Sequence, residues 1–211
     1  MAPTTIRKLQ ALGLAAALVL WSPLPGRRHP LTQSLLAAAL VAITKAPLGF
    51  RPPALWAGLR IGSAAASVVT VAVAAGAAIP RVRAAMADRT PPSSPAMWLA
   101  LQIPVGTVWA EEAAYRTALT TLAADGFGPR TGRLVQAIAF GLSHIPDARA
   151  AGEPVAGTVV VTGAAGWVFG ALAERSGSLV APMLTHLAIN EAGALAALRV
   201  RSRKSGIHDE R

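Results

Sequence analysis

Long apolar runs, each closed by a short cluster of proline, glycine or arginine, set the rhythm of this chain. The runs at 6–22, 31–50, 54–79, 97–122, 131–146, 155–174 and 179–198 are dominated by Ala, Leu and Val, and their length and punctuation predict helices. No stretch alternates apolar and polar residues over the length of a strand, so neither a sheet nor a barrel is expected. Pro23 and Pro25, Pro52 and Pro53, and Pro91, Pro92 and Pro95 mark loops, and 80–96 is the longest polar connection. The fold expected is all-α, a polytopic transmembrane bundle of about seven helices, each span needing roughly 20 apolar residues. Within it, residues 1–95 supply N-terminal helices and a loop, 96–200 a motif-bearing core, and 201–211 a basic, disordered tail. The run 131–146 is short for a span, which fits a re-entrant or buried helix.

Composition then fixes the environment. Of 211 residues, 53% are hydrophobic and only 14% charged, and the mean hydropathy is +0.47. Such a chain is expected to be an integral, multi-pass membrane protein. The net charge of +10 raises nucleic acid as a partner. However, the basic residues are scattered among loops and the C-terminal tail, without the aromatic interleaving of a nucleic-acid groove. Anionic lipid headgroups are the expected partner instead. Arg199, Arg201, Arg203 and Lys204 follow the last helix and Arg81, Arg83 and Arg89 sit in the long loop, which places both regions on the cytoplasmic side. Arg7 and Lys8 precede Leu9–Trp21 as a basic region precedes a signal-peptide core. No small-x-small cleavage site follows, and the first helix is expected to be retained. With no cysteine, thiol nucleophiles and Cys-based metal sites drop out, leaving carboxylate, imidazole and hydroxyl chemistry.

Three polar clusters interrupt the apolar runs: Glu111-Glu112-Ala113-Ala114-Tyr115-Arg116, Phe140-Gly141-Leu142-Ser143-His144, and His186-Leu187-Ala188-Ile189-Asn190. Three charges at mid-span of the helix 97–122 cost about 9 kcal/mol on insertion scales, while each strong apolar residue returns only about 0.3–0.6 kcal/mol. Pairing or a wet cavity is therefore required. Glu112 and Arg116, spaced i,i+4, can pair along one face, which leaves Glu111 freer to act as a general base. His144 falls one turn after Phe140, on the same helix face. Ser143 lacks the surroundings of a nucleophile elbow and is not expected to act as one. His186 and Asn190, also one turn apart, can aim two donors at a single point, as an oxyanion site needs. Structural readings compete: an ion pair for helix packing at the glutamates, a satisfied core histidine, an interhelical hydrogen bond at Asn190. Gly166 and Gly170 have the Gly-x-x-x-Gly spacing of close helix contact, expected here to serve internal packing. Glu191 is expected to pair with a loop cation.

The ordered set resembles the CPBP family of intramembrane proteases, which includes the type II CAAX prenyl endopeptidases and bacterial bacteriocin-processing and immunity proteins. Its signature is Glu-Glu-x-x-x-Arg, then Phe-x-x-x-His, then His-x-x-x-Asn. The run Glu174-Arg175-Ser176-Gly177-Ser178-Leu179, with Pro182 before His186, is similar to the family's approach to its last motif. The likeness spans about residues 97–198. Tyr115 stands where Phe is usual, and no apolar helix follows residue 200. The resemblance implies an intramembrane endopeptidase of a bacterial plasma membrane, hydrolysing membrane-tethered or lipidated, CAAX-type peptides with activated water. By the same resemblance Glu111 and His144 activate the water, His186 and Asn190 stabilise the oxyanion, and Glu112 and Arg116 hold the site in shape. Metal-free catalysis is the expectation; the alternative is a Zn2+ on Glu111, His144 and His186 with water in the fourth place. Two other classes stay open: a non-catalytic scaffold or bacteriocin-immunity protein that binds in the same cavity, and a small transporter using Glu and His as a proton relay.

Overall fold

The computed structural model describes residues 2–24, 29–88, 90 and 92–209, with side chains as far as Ser202. Pro25, Arg89 and Pro91, and the side chains of Arg203 and Lys204, lie outside the described residues. Among the described residues every regular element is helical: α1 Pro3–Trp21, α2 Pro30–Thr44, α3 Ala54–Ala78, α4 Pro80–Asp88, α5 Pro95–Met97, α6 Thr120–Phe127, α7 Pro129–Leu142, α8 Ile145–Ala151, α9 Val155–Ser176 and α10 Val180–Asp209. Between α5 and α6 the chain stays helical but is wound wider, as π-helix, over Trp98–Trp109 and Glu112–Leu119. Residues 95–127 thus form one continuous central rod.

Helices lie where the apolar runs predict them, with differences that have local causes. The second helix ends at Thr44 rather than near residue 50. Lys45 takes the left-handed conformation, Ala46 donates back to the Val41 carbonyl, and Pro47 and Gly49 follow, a helix stop of familiar chemistry. The helix expected over 131–146 breaks after Leu142, because Pro146 opens a new short helix, α8. The loop over 80–96 contains α4. At the other end α10 runs on to Asp209, past residue 200, where a tail was expected to begin. The π-helical winding was not foreseen. Pro104 sits inside it, and a proline there has no N–H to give and crowds the carbonyl four residues back, which disfavours α-winding.

The bundle buries several polar side chains and exposes many large apolar ones. Glu112, Gln136, Arg116, Thr117 and His186 are buried, while Ile43, Val68, Leu20 and Leu35 are 78%, 72%, 71% and 70% exposed. Two helices, Ala54–Ala78 and Val155–Ser176, are long and apolar enough to cross a membrane, and Pro30–Thr44 is a shorter apolar helix. One core cluster joins Leu18 of α1 and Ala37 of α2 to Ala110, Tyr115 and Leu119 of the rod, Phe140 of α7 and Leu179. Residues before 95 therefore share a core with those after it.

Close helix contacts are made at glycines. A Cβ on Gly62 of α3 would stand 2.8 Å from Ala181 Cα of α10, and one on Gly141 of α7 would stand 2.6 Å from the Val159 carbonyl of α9. Gly166 and Gly170 of α9 face Phe140 and Arg133 of α7, so the Gly-x-x-x-Gly stripe serves internal packing, as expected. Ser34 of α2 donates to the Val105 carbonyl at 2.9 Å, holding α2 against the rod.

Candidate active site

Glu111 and Glu112 sit where the rod changes its winding. Ala110 and Glu111 are the α-helical interval between the two π-helical stretches, and the Thr120 backbone N–H reaches back to Tyr115 O, five residues away. Short π-helical insertions are frequent at functional sites. Glu112 Oε2 lies 3.2 Å from Arg116 Nε, and both side chains are fully buried. The Arg116 guanidinium also stacks on aromatic faces: its Cζ is 3.8 Å from the Phe140 ring centroid and 5.1 Å from that of Phe169. Such contacts supply part of what water would otherwise give a buried cation. Glu111 is in different circumstances: its side chain is 25% exposed, and Oε2 has no hydrogen-bond partner.

His144 stands at the break between α7 and α8, not inside a helix as the apolar run implied. Its backbone, at φ −90° and ψ −1°, is in the sparsely populated bridge region where many active-site residues sit. It still lies one turn beyond Phe140: the rings meet edge to face at 4.6 Å, and Nδ1 is 2.7 Å from the Phe140 carbonyl oxygen. A carbonyl only accepts, so Nδ1 carries a proton and Nε2 is left for the cavity. Ser143 Oγ donates to the same carbonyl at 2.8 Å, a structural role that fits its exclusion as a nucleophile.

His186, on α10, is held from two sides. Nδ1 is 2.8 Å from Glu112 Oε1, and the ring stacks on Phe169 at a centroid distance of 5.1 Å. A carboxylate engaged by arginine accepts, so here too Nδ1 carries the proton. The other nitrogen, Nε2, is 3.9 Å from Glu111 Oε2, beyond hydrogen-bond reach. Asn190 follows one turn later on the same helix.

All four candidate residues, Glu111, His144, His186 and Asn190, line one cavity of about 670 Å³. Glu112 and Arg116 lie behind it, one holding His186 and both buried. The cavity is also lined by residues that sequence reasoning passed over: Gln33 of α2, Trp98, Gln102 and Thr107 of the rod, and Asp147 of α8. For Asp147 a signal existed, since it follows Pro146 in the first turn of a helix that the apolar pattern does not reveal. Gln33 carries no such mark. Glu191 points elsewhere, lining a separate groove together with Arg83 and Arg199. The two basic regions placed on one side by the sequence thus share a groove.

A tetrahedral zinc would need Glu111, His144 and His186 at about 2.0–2.2 Å from a common point. Among the described residues no three His, Asp or Glu side chains are gathered closely enough to hold a metal ion. As placed, these donors do not fit that ion.

Residues 92–192 match the family model described as type II CAAX prenyl endopeptidase Rce1-like. The matched stretch contains all three polar clusters, and the family is one of integral membrane proteases. The likeness drawn from the motifs is thereby met by a comparison over nearly the same residues. No curated protein and no solved structure matches the chain.

Proposed function

We propose that this chain is a multi-pass intramembrane endopeptidase that hydrolyses peptide bonds of membrane-tethered or lipidated, CAAX-type substrates with an activated water. The observation that carries the reading is the meeting of Glu111, His144, His186 and Asn190 on one cavity, in a bundle that buries Glu112, Arg116 and His186 and exposes many large apolar side chains.

A water between Glu111 and His144 gives its proton to the Glu111 carboxylate, while His144 Nε2 orients it. Its oxygen attacks the carbonyl carbon of the scissile bond, and negative charge develops on the carbonyl oxygen. Glu112 holds Nδ1–H of His186, so an imidazolium at His186 turns Nε2–H to the cavity. With the Asn190 amide it supplies donors preset for that oxyanion. Collapse of the intermediate breaks the C–N bond, and the proton on Glu111 passes to the leaving amine. The products are a carboxylate and an amine, with no covalent enzyme intermediate. Burial of Glu112 and Arg116 keeps the His186 ring in this orientation and place.

The test is cleavage of lipidated and membrane-tethered peptides by the purified chain in lipid, compared with Glu111→Gln and His144→Ala. Each substitution is expected to lower turnover by about 10²–10⁴-fold. Equal cleavage by both variants would remove the roles assigned here. Failure of the wild type on every peptide, with binding retained, would point to a scaffold instead.

A further inference from the structure

A groove of about 640 Å³ runs along the seam where α3 meets α10, and it shares no lining residue with the catalytic cavity. On α10 its lining includes Ala188, Ala192, Leu195 and Arg199, an i, i+4, i+7, i+11 stripe on one helix face. Across from them α3 contributes Val73 and Ala77, and α4 brings Arg83. From Ala188 to Arg199 the stripe is about 16 Å long, close to the depth of one leaflet in a hydrocarbon core about 30 Å thick. The lining is apolar except at Thr70, Glu191, Arg83 and Arg199. Thr70 is satisfied within α3, donating to the Ala66 carbonyl at 2.8 Å. The two arginines are exposed, and among the described residues neither guanidinium has an ion-pair partner. They stand at the same end of the groove, because α3 and α10 run in one direction from the contacts that Gly58 and Gly62 make with Ser178 and Ala181.

We propose that this groove binds one anionic phospholipid, with its phosphate on Arg83 and Arg199 and an acyl chain along the small side chains of α3 and α10. Each guanidinium offers a fork of donors that matches phosphate oxygens. Two such forks favour a headgroup of net negative charge over a zwitterionic one, whose ammonium they repel. Glu191 sets the direction of the lipid. It stands about 12 Å before Arg199 along the same helix, where a carboxylate repels phosphate, and so the headgroup is held at the arginine end while the chain fills the rest. The bound lipid spans the seam between α3 and the helix that carries His186 and Asn190, and braces that helix on a side away from the cavity. The site belongs to the protein's setting in lipid, and it stands whether or not peptides are cleaved.

The test uses the full chain in detergent micelles carrying equal amounts of phosphatidylglycerol and phosphatidylcholine, with retained lipid counted by native mass spectrometry. Wild type is expected to keep one phosphatidylglycerol in at least about tenfold preference, since each basic side chain near a membrane surface is worth about fivefold toward anionic lipid. Arg83→Gln and Arg199→Gln should each lower that preference about fivefold. Ala74→Phe, at another lining position of α3 that is exposed and free to accept a ring, fills the groove without touching the arginines and should abolish retention. Glu191→Gln should leave retention equal or raised. Thermal unfolding of wild type should move upward with added phosphatidylglycerol and not with phosphatidylcholine, a shift that Ala74→Phe loses. Equal retention of the two lipids overturns the proposal. So does full retention by Ala74→Phe, which would put the headgroup on the surface with no chain in the groove. A fall in Glu191→Gln as large as in the arginine variants overturns it as well, because the groove would then be reading a cation. Peptide cleavage measured on the same variants bears on the catalytic reading alone, so the two readings fail separately.

Discussion

Glu111 and Glu112 are neighbours in sequence and opposites in circumstance. Glu112 is sealed between Arg116 and His186, whereas Glu111 keeps one oxygen without a hydrogen-bond partner at the cavity wall. Substitution should separate them. Glu111→Gln is expected to lower turnover by about 10²–10⁴-fold with only a small change in thermal unfolding in detergent, since its contact with His186 Nε2 is long, at 3.9 Å. Arg116→Ala removes the counter-charge of a buried carboxylate and is expected to cost about 3–5 kcal/mol, read as a lower unfolding temperature. The double variant Glu112→Gln/Arg116→Met should recover much of that stability, because a buried pair replaced by neutral groups is close to neutral overall. It should not recover activity, because His186 then loses the carboxylate that fixes its Nδ1–H. Metal removal belongs at this scale too. The three possible ligands are not gathered around a common point, so peptide cleavage is expected to persist after exhaustive chelation; loss on chelation with rescue by added Zn2+ would overturn the metal-free reading.

The helices owe their separations to glycine. At Gly141 both sides of the contact are backbone, so an added Cβ has nothing to displace but α9 itself. Gly141→Ala is expected to destabilise by about 1–3 kcal/mol and to disturb His144, three residues on. At Gly166 the nearest atoms are the Phe140 ring and the Gln136 amide, which can yield, so Gly166→Ala should cost less; unfolding of the two variants in parallel checks the order. At this scale the sequence was largely legible. Apolar runs marked the long helices, and the i,i+4 spacing of Glu112 and Arg116 foretold their ion pair. The breaks were harder to see, because apolar Ala46, Leu48 and Ile145 lie beyond the helix ends at Thr44 and Leu142, beside Pro47, Gly49 and Pro146. The winding of the rod and the cavity positions of Gln33 and Asp147 arise from contacts between segments far apart in sequence, and no local pattern encodes them. Helical spacing put His186 and Asn190 on one face, but only the fold brings them to Glu111 and His144.

Across the whole molecule many large apolar side chains are exposed, as a protein in lipid would present them. The helices carry many valines, leucines and isoleucines outward, while Glu112, Gln136, Arg116 and His186 are buried, an arrangement that water would oppose and hydrocarbon favours. The chain is therefore expected to stay with the membrane fraction through alkaline carbonate washing. Val68→Asp, at an outward position of α3, should cost about 2.5–3.5 kcal/mol of insertion if that position lies at the bilayer centre, measured as a reduced inserted fraction.

The extended segment after α2 meets the start of α10 directly: the Leu179 backbone N–H donates to the Leu48 carbonyl at 3.0 Å, and Gly49 leaves no room for a side chain against the Gly177 carbonyl. The helix that bears His186 and Asn190 is thus anchored by a strap contributed from outside the 92–192 stretch. Trimming the protein to its recognisable half would cut that mooring and strip α3 from the flank of α10. What remained would be a fragment that keeps the chemical groups and the Glu112–His186 hydrogen bond but loses the outer supports of the helix that carries them.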